Sequence, residues 1–246
     1  TPSISIITNV DLDHQNWLGS TIDEIAKEKA GIISSGIPCI FGDSPVPSII
    51  QTVADSEGSD LYAWNSDFFL VDNGDSFQWK GRNTTIDSII IPSHWGPGEC
   101  HNLASSLTSI EIVDSKLLPS AKELNHLLSN FSVPGRFEII EQKQTWILDV
   151  AHNPHAAKNL KKKLESLNPY KKITVILSMM QDKDVIGFVK ILDDLVAQWT
   201  VCEMDTTRSH SAQTLQKKLI DYGMANVNAE SGLIEAFSNI KNRTKK

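Results

Sequence analysis

The chain has 246 residues, enough for one large domain or two ordinary ones, and its 40% hydrophobic content is that of a protein with a packed core. A net charge of −7 leaves no cationic excess with which to hold nucleic acid or an anionic membrane surface over a wide face. Cys39, Cys100 and Cys202 are odd in number and in no metal-ligand spacing, which argues against a disulfide framework and a zinc site and fits a reducing cytoplasm.

Ser3 to Val10 is β-rich and partly alternating, and it runs into Asp11-Leu12-Asp13-His14, as a strand delivering polar groups at its C-terminal end does. The start at Thr1 carries neither an initiator methionine nor the basic flank and apolar stretch of a signal peptide, so the expected context is a processed chain or the middle of a longer one. Thr21 and Glu24 form a capping box, and Ile22, Ile25, Ala26, Lys29 and Ile33 recur at helical spacing behind it. A strand over 37–41 and a helix over 48–56 follow. The short runs 61–64, 68–71, 77–80 and 86–91, separated by Asn, Asp and Gly turns, read together as a small antiparallel sheet. Leu103, Ala104, Leu107 and Ile110 mark a helix with Asn102 as its N-cap, and Ser120 with Glu123 caps another. Val133-Pro134-Gly135 then breaks the pattern and sets a domain boundary between 132 and 133. Beyond it strands (146–150, 173–178, 200–203 and around 227) alternate with helices (from 154, from 184, 213–222 and 233–240), which implies βαβ units and a mainly parallel sheet.

Lys29 is the most informative single residue, because its spacing places it on the apolar face of its helix. Burial lowers a lysine's pKa, and a neutral amine reacts with carbon dioxide to give a carbamate, turning a cation into a metal-binding anion. The alternative is a lysine that carries its ammonium out to water along an apolar stem. His14, next to Asp13 at a strand end, is either a ligand for a metal or phosphate or a hydrogen-bonded loop residue. In Asp149-Val150-Ala151-His152-Asn153-Pro154-His155 a strand ends and a helix starts with proline in its first turn. Either Asp149 and His152 meet a nucleotide or a reacting phosphate there, or Asn153 caps the helix and Asp149 holds a loop amide. Arg136 has the planar fork suited to phosphate, or to a carboxylate across the domain joint.

Four segments taken together, Asp13 to Gly19, Ile25 to Ile32, Pro134 to Phe137 and Leu148 to Ala157, resemble in order and spacing the folylpolyglutamate and dihydrofolate synthases, most of all the bacterial bifunctional form. The resemblance implies an α/β architecture of Mur-ligase type: the later part of a P-loop ATPase domain over 1–132, followed by a Rossmann-like C-terminal domain over 133–246. It also implies ATP and two magnesium ions, with His14 a magnesium ligand and Lys29 carbamylated to help bind the second. Asn102, Arg136 and Asp149 are expected to contact ATP, and His152 to orient a phosphate oxygen or the incoming amine. ATP would phosphorylate a substrate carboxylate, and the amine of L-glutamate would displace phosphate to form the amide. The expected partners are a folate or dihydropteroate and L-glutamate, with no nucleic acid and no membrane, and the complete enzyme is expected to be a cytoplasmic monomer.

The sequence departs from that family in one large respect. No GxxxxGK[ST] loop occurs in it, so the chain is expected to be an internal piece of a longer enzyme, shortened at its end too, and inactive alone. Two other readings stay open: a peptidoglycan-precursor Mur-type ligase, and a non-catalytic nucleotide-binding module.

Overall fold

A computed structural model describes residues 2–11, 19, 21–167 and 173–243. The chain divides into two compact units, Thr1–Phe131 and Ser132–Lys246.

The first unit is built on three short parallel strands, β1 (Ser5–Ile7), β2 (Cys39–Phe41) and β3 (Leu61–Ala63), hydrogen-bonded in that order. Strand alternation divides its core in two: Cys39 and Phe41 pack on one face with Ile7, whereas Ile40 belongs to the other. The first face is covered by α1 (Ile22–Ala30) and α2 (Ser48–Glu57), which bring Ala26, Ala30, Ile50 and Ala54 into the same cluster. Helix α1 begins at the anticipated capping box, in which Thr21 accepts the Glu24 amide and Glu24 returns to the Thr21 amide. Ile22, placed on the apolar face by spacing, is 39% exposed; it sits in the first turn, ahead of the stretch that meets the sheet.

On the other face lie the antiparallel strands β4 (Phe69–Asp72), β5 (Phe77–Lys80) and β6 (Thr85–Ile89), with α3 (Pro97–Asp114) and α4 (Ala121–Ser129). Residues 61–64 were expected in this antiparallel sheet; instead 61–63 pair with β2 in parallel, because α2 carries the chain back to the starting edge. The Glu111 carboxylate of α3, 9% exposed, accepts the amides of Arg82 and Asn83 at 3.1 and 3.0 Å and so clamps the β5–β6 turn onto the helix.

The second unit opens with an antiparallel hairpin, β7 (Glu138–Glu141) and β8 (Thr145–Leu148). Strand β7 is absent from the sequence reading, and β8 pairs with it rather than joining the parallel sheet. The three-residue turn 142–144 is too short for anything but a hairpin. Helix α5 (Pro154–Leu167) follows, then β9 (Ile173–Leu177), α6 (Val185–Leu192), β10 (Val196–Cys202), α7 (Ala212–Asp221), β11 (Val227–Glu230) and α8 (Leu233–Arg243). The parallel sheet β11-β10-β9 carries the expected βαβ pattern, and its core gathers Leu177, Phe188, Trp199, Val201, Leu215 and Leu219. No helix among the described residues is long and apolar enough to cross a membrane.

Leu215 is completely buried in that core. Leu215→Ala is expected to cost about 2–5 kcal/mol of stability in urea unfolding followed by circular dichroism; a loss under about 1 kcal/mol would mean the helix does not pack as described.

Candidate active site

In the second unit the polar groups converge on the end of β8. Both oxygens of Asp149 accept backbone amides, Oδ2 from Phe137 at 2.8 Å and Oδ1 from Ala151 at 2.8 Å, so this carboxylate ties the Pro134-Gly135-Arg136-Phe137 turn to the loop that enters α5. Phe137 needs such a tie. It has φ +50°, the left-handed region that side chains avoid, while its ring is 2% exposed. Gly135, at φ +69°, has no such difficulty, and a Cβ there would lie 3.1 Å from Val150 Cγ1. The Gly135 carbonyl accepts the Val150 amide at 2.8 Å and its own amide donates to Glu138 at 2.9 Å, which completes the frame around the exposed Arg136.

Of the two readings of Asp149 and Asn153, the loop-amide partner and the helix cap are both seen. Asn153 Oδ1 accepts the Ala156 amide at 2.8 Å, and Pro154 occupies the first turn of α5. His152 sits between them with Nδ1 at 2.9 Å from the Val150 carbonyl. A carbonyl only accepts, so Nδ1 carries the proton and the lone pair of the neutral ring lies on Nε2, the tautomer for accepting a proton or holding an electrophile. The first turn of α6 packs against this helix start: a Cβ at Gly187 would come within 3.0 Å of Pro154 Cγ.

The same unit holds an open cavity of about 640 Å³ beyond the C-terminal ends of β9 and β10, where parallel sheets bind ligands. Gln181, Glu203, Thr207, His210 and Thr214 are among its lining. Sequence reasoning passed over these residues, although the strand ends and the Ser211 cap of α7 mark the place by the same general rule.

In the first unit Lys29 is half-buried on the inner side of α1, and its Nζ donates to the Asn9 carbonyl, just past β1, at 2.8 Å. Neither pure burial nor a free run to solvent describes it: the amine is directed to the C-terminal end of the sheet. At the end of β2, Asp43 Oδ1 lies 3.7 Å from Nδ1 of His101, whose ring is 4.5 Å from that of Trp64 at the end of β3. Burial pushes the His101 imidazole below its usual range, and the Asp43 carboxylate only partly opposes this. A Cβ on Gly42 would meet Ser105 Oγ at 2.8 Å and the Thr8 carbonyl at 3.0 Å, so α3 presses directly on the ends of β1 and β2.

Asn102 is not an N-cap. Helix α3 starts five residues earlier, behind Gly96, with Pro97 supplying a ready-made helical φ, and Asn102 is an exposed second-turn residue whose carbonyl accepts the Ser106 hydroxyl at 2.8 Å. Asp13 and His14 lie outside the described residues. Among the described residues no group of three or more His, Cys, Asp or Glu is placed to hold a metal ion. The amine of Lys29 nevertheless fits a carbamate, which keeps one N–H for the Asn9 carbonyl.

Residues 135–246 match the family Mur ligase, glutamate ligase domain. Over 220 residues the chain is 30% identical to dihydrofolate synthase/folylpolyglutamate synthase of Escherichia coli (strain K12), an alignment covering 88% of this chain and 50% of that protein. Its fold is similar to Escherichia coli FolC in complex with DHPP and ADP, with a TM-score of 0.84 and 26% identity over 98% of this chain and 55% of that one. It is also similar to a Yersinia pestis bifunctional folylpolyglutamate synthase/dihydrofolate synthase complexed with AMPPNP and Mn ion, with a TM-score of 0.79 and 28% identity over 98% and 55% of the two chains. The chain thus spans about half the length of the curated relatives it matches.

Two outcomes follow from the site's geometry. Asn153→Ala is expected to lower stability by about 1 kcal/mol in urea unfolding, through loss of the cap on α5, with Asn153→Asp close to the parent; equal stability of the alanine variant would contradict the cap. His101 has a folded pKa below its unfolded one, so the unfolded chain binds more protons and stability is lost as pH falls through the imidazole range. The drop in Tm between about pH 7.5 and 5.5 should therefore be smaller in His101→Gln than in the parent; identical drops would show that His101 is not involved.

Proposed function

We propose that this chain, similar in sequence and fold to the dihydrofolate synthase/folylpolyglutamate synthases, belongs with them and forms the later part of the ATPase domain, residues 1–132, and the glutamate ligase domain, residues 133–246, of an ATP-dependent amide-forming ligase. The reaction joins L-glutamate to dihydropteroate or to a tetrahydrofolate: ATP phosphorylates the pterin substrate's carboxylate, and the amine of glutamate then attacks the acyl phosphate and expels phosphate. The observation that carries this reading is the 30% identity over 88% of the chain to the Escherichia coli enzyme.

The arrangement of side chains supports roles for them. Asp149 has both oxygens engaged by backbone amides, but an ionised carboxylate has further lone pairs, so it accepts a nucleotide hydroxyl while still holding its turn. Arg136, exposed at the tip of that turn, offers its planar fork to phosphate oxygens. Asn102, exposed on α3, presents an amide to the base of ATP. His152, with its proton fixed on Nδ1, orients a phosphate oxygen or takes a proton from the glutamate ammonium through Nε2. His14 and a carbamate on Lys29 would hold magnesium, which when bound offsets charge on the phosphoryl group. The cavity beyond β9 and β10 receives the amino acid, a reading supported by its position within the matched glutamate ligase domain. Cys39, Cys100 and Cys202 are not joined in disulfides, in keeping with a cytoplasmic enzyme, and the acidic charge suits a monomer without nucleic-acid or membrane partners.

The chain joined to the parts of the Escherichia coli relative that it does not span, and shown to be folded, is expected to incorporate labelled glutamate into dihydropteroate or tetrahydrofolate. Incorporation should require ATP and magnesium and be lost in Lys29→Ala. No incorporation with either pterin would refute the assignment.

A further inference from the structure

The loop from Glu203 to Ser211 supplies most of the wall of the cavity beyond β9 and β10, and its conformation is set by two side chains that are not obvious ligands. Gln181, in the loop after β9, reaches three successive carbonyls. Its backbone amide donates to Arg208 O at 2.9 Å, and its side-chain amide donates to Ser209 O at 2.9 Å and, more weakly, to Thr207 O at 3.4 Å. Ser209, 5% exposed, works from inside the loop: its hydroxyl accepts the Met204 amide at 3.1 Å and donates to the His210 carbonyl at 2.9 Å. One further bond, from the His210 amide to Met179 O at 3.0 Å, seats the end of the loop on the segment just past β9 before Ser211 caps α7.

A loop whose carbonyls are turned toward Gln181 and whose hydroxyl staple is buried is organised in advance, which removes part of the ordering cost of binding. The remaining lining is small and mixed in character: the carboxylate of Glu203, the hydroxyls of Thr206, Thr207 and Thr214, and the imidazole of His210. That mixture suits a compact zwitterion, which needs an acceptor for its ammonium and donors for its carboxylates, better than it suits a flat aromatic ring.

We infer that Gln181 and Ser209 are positioning residues for the amino-acid substrate, holding the 203–211 loop in the shape that lines its cavity. The inference rests on the proposed ligase function. Neither residue touches reacting atoms, so each acts on glutamate affinity and leaves the handling of ATP alone.

The test is the ligation assay on the completed protein, with KM for glutamate, KM for ATP and kcat measured separately for Gln181→Glu, Gln181→Lys and Ser209→Ala. Gln181→Glu is nearly isosteric but sets an acceptor against carbonyls, whereas Gln181→Lys retains a donor. Gln181→Glu and Ser209→Ala are expected to raise the glutamate KM about five- to tenfold, with ATP KM and kcat changed less than about twofold and with Gln181→Lys nearer the parent. An active parent whose variants keep their glutamate KM, or lose kcat and both KM values together, would overturn the inference while leaving the ligase reading intact. An inactive, folded parent would overturn both.

Discussion

The Asp149 carboxylate fixes the geometry on which the second unit's site depends. Its two oxygens accept the amides of Phe137 and Ala151, which lie on the two sides of a hairpin, twelve residues before Asp149 and two residues after it. Charge-assisted bonds to backbone amides are stronger than neutral ones, and here they oppose a specific cost, the left-handed backbone of Phe137, on the order of 1 kcal/mol or more. Because the strained residue is also buried, the turn cannot relax by swinging its side chain into water. Arg136 on one side and His152 on the other are therefore aimed by a bond that neither makes.

The first unit solves a similar problem with different chemistry. Its three parallel strands end at one edge, and the groups found there come from elements behind and beside them: Lys29 from α1, directed to the Asn9 carbonyl, and His101 from α3, between Asp43 and Trp64. The absence of a Cβ at Gly42 lets α3 come close enough for this. In the first unit the polar side chains are thus gathered where parallel strands deliver their C-terminal ends, as is the cavity of the second unit, whereas the Asp149 group lies at the end of the antiparallel strand β8, beside a helix start.

How much of this was legible in the sequence depended on the range of the interaction. The capping boxes at Thr21 and Ser120 and the α5 start at Asn153-Pro154 are local, written within four residues, and they appear where the spacing puts them. The Lys29 anomaly was also legible, since one face of one helix is a local property; its partner Asn9, twenty residues back, was not. Hairpin β7–β8 was hidden because Glu138 to Glu141 is short and charged at both ends, and only pairing with β8 makes it a strand. Asn102 misled because leucine spacing locates a helix's buried middle and says nothing about a polar first turn such as Pro97 to Cys100. The Gln181 contacts join the loops after two separate strands, and the Ser209 hydroxyl staple lies inside an irregular loop; no sequence period announces either.

The most direct measurement is amide hydrogen exchange at Phe137 and Ala151, in the parent and in Asp149→Asn. Both amides are loop positions that would exchange freely without the carboxylate. Protection of both in the parent, with loss at one or both in the asparagine variant, which retains a single acceptor oxygen, is the result required. Exchange of both amides at the rate of open loop in the parent would contradict the claim that Asp149 sets this site.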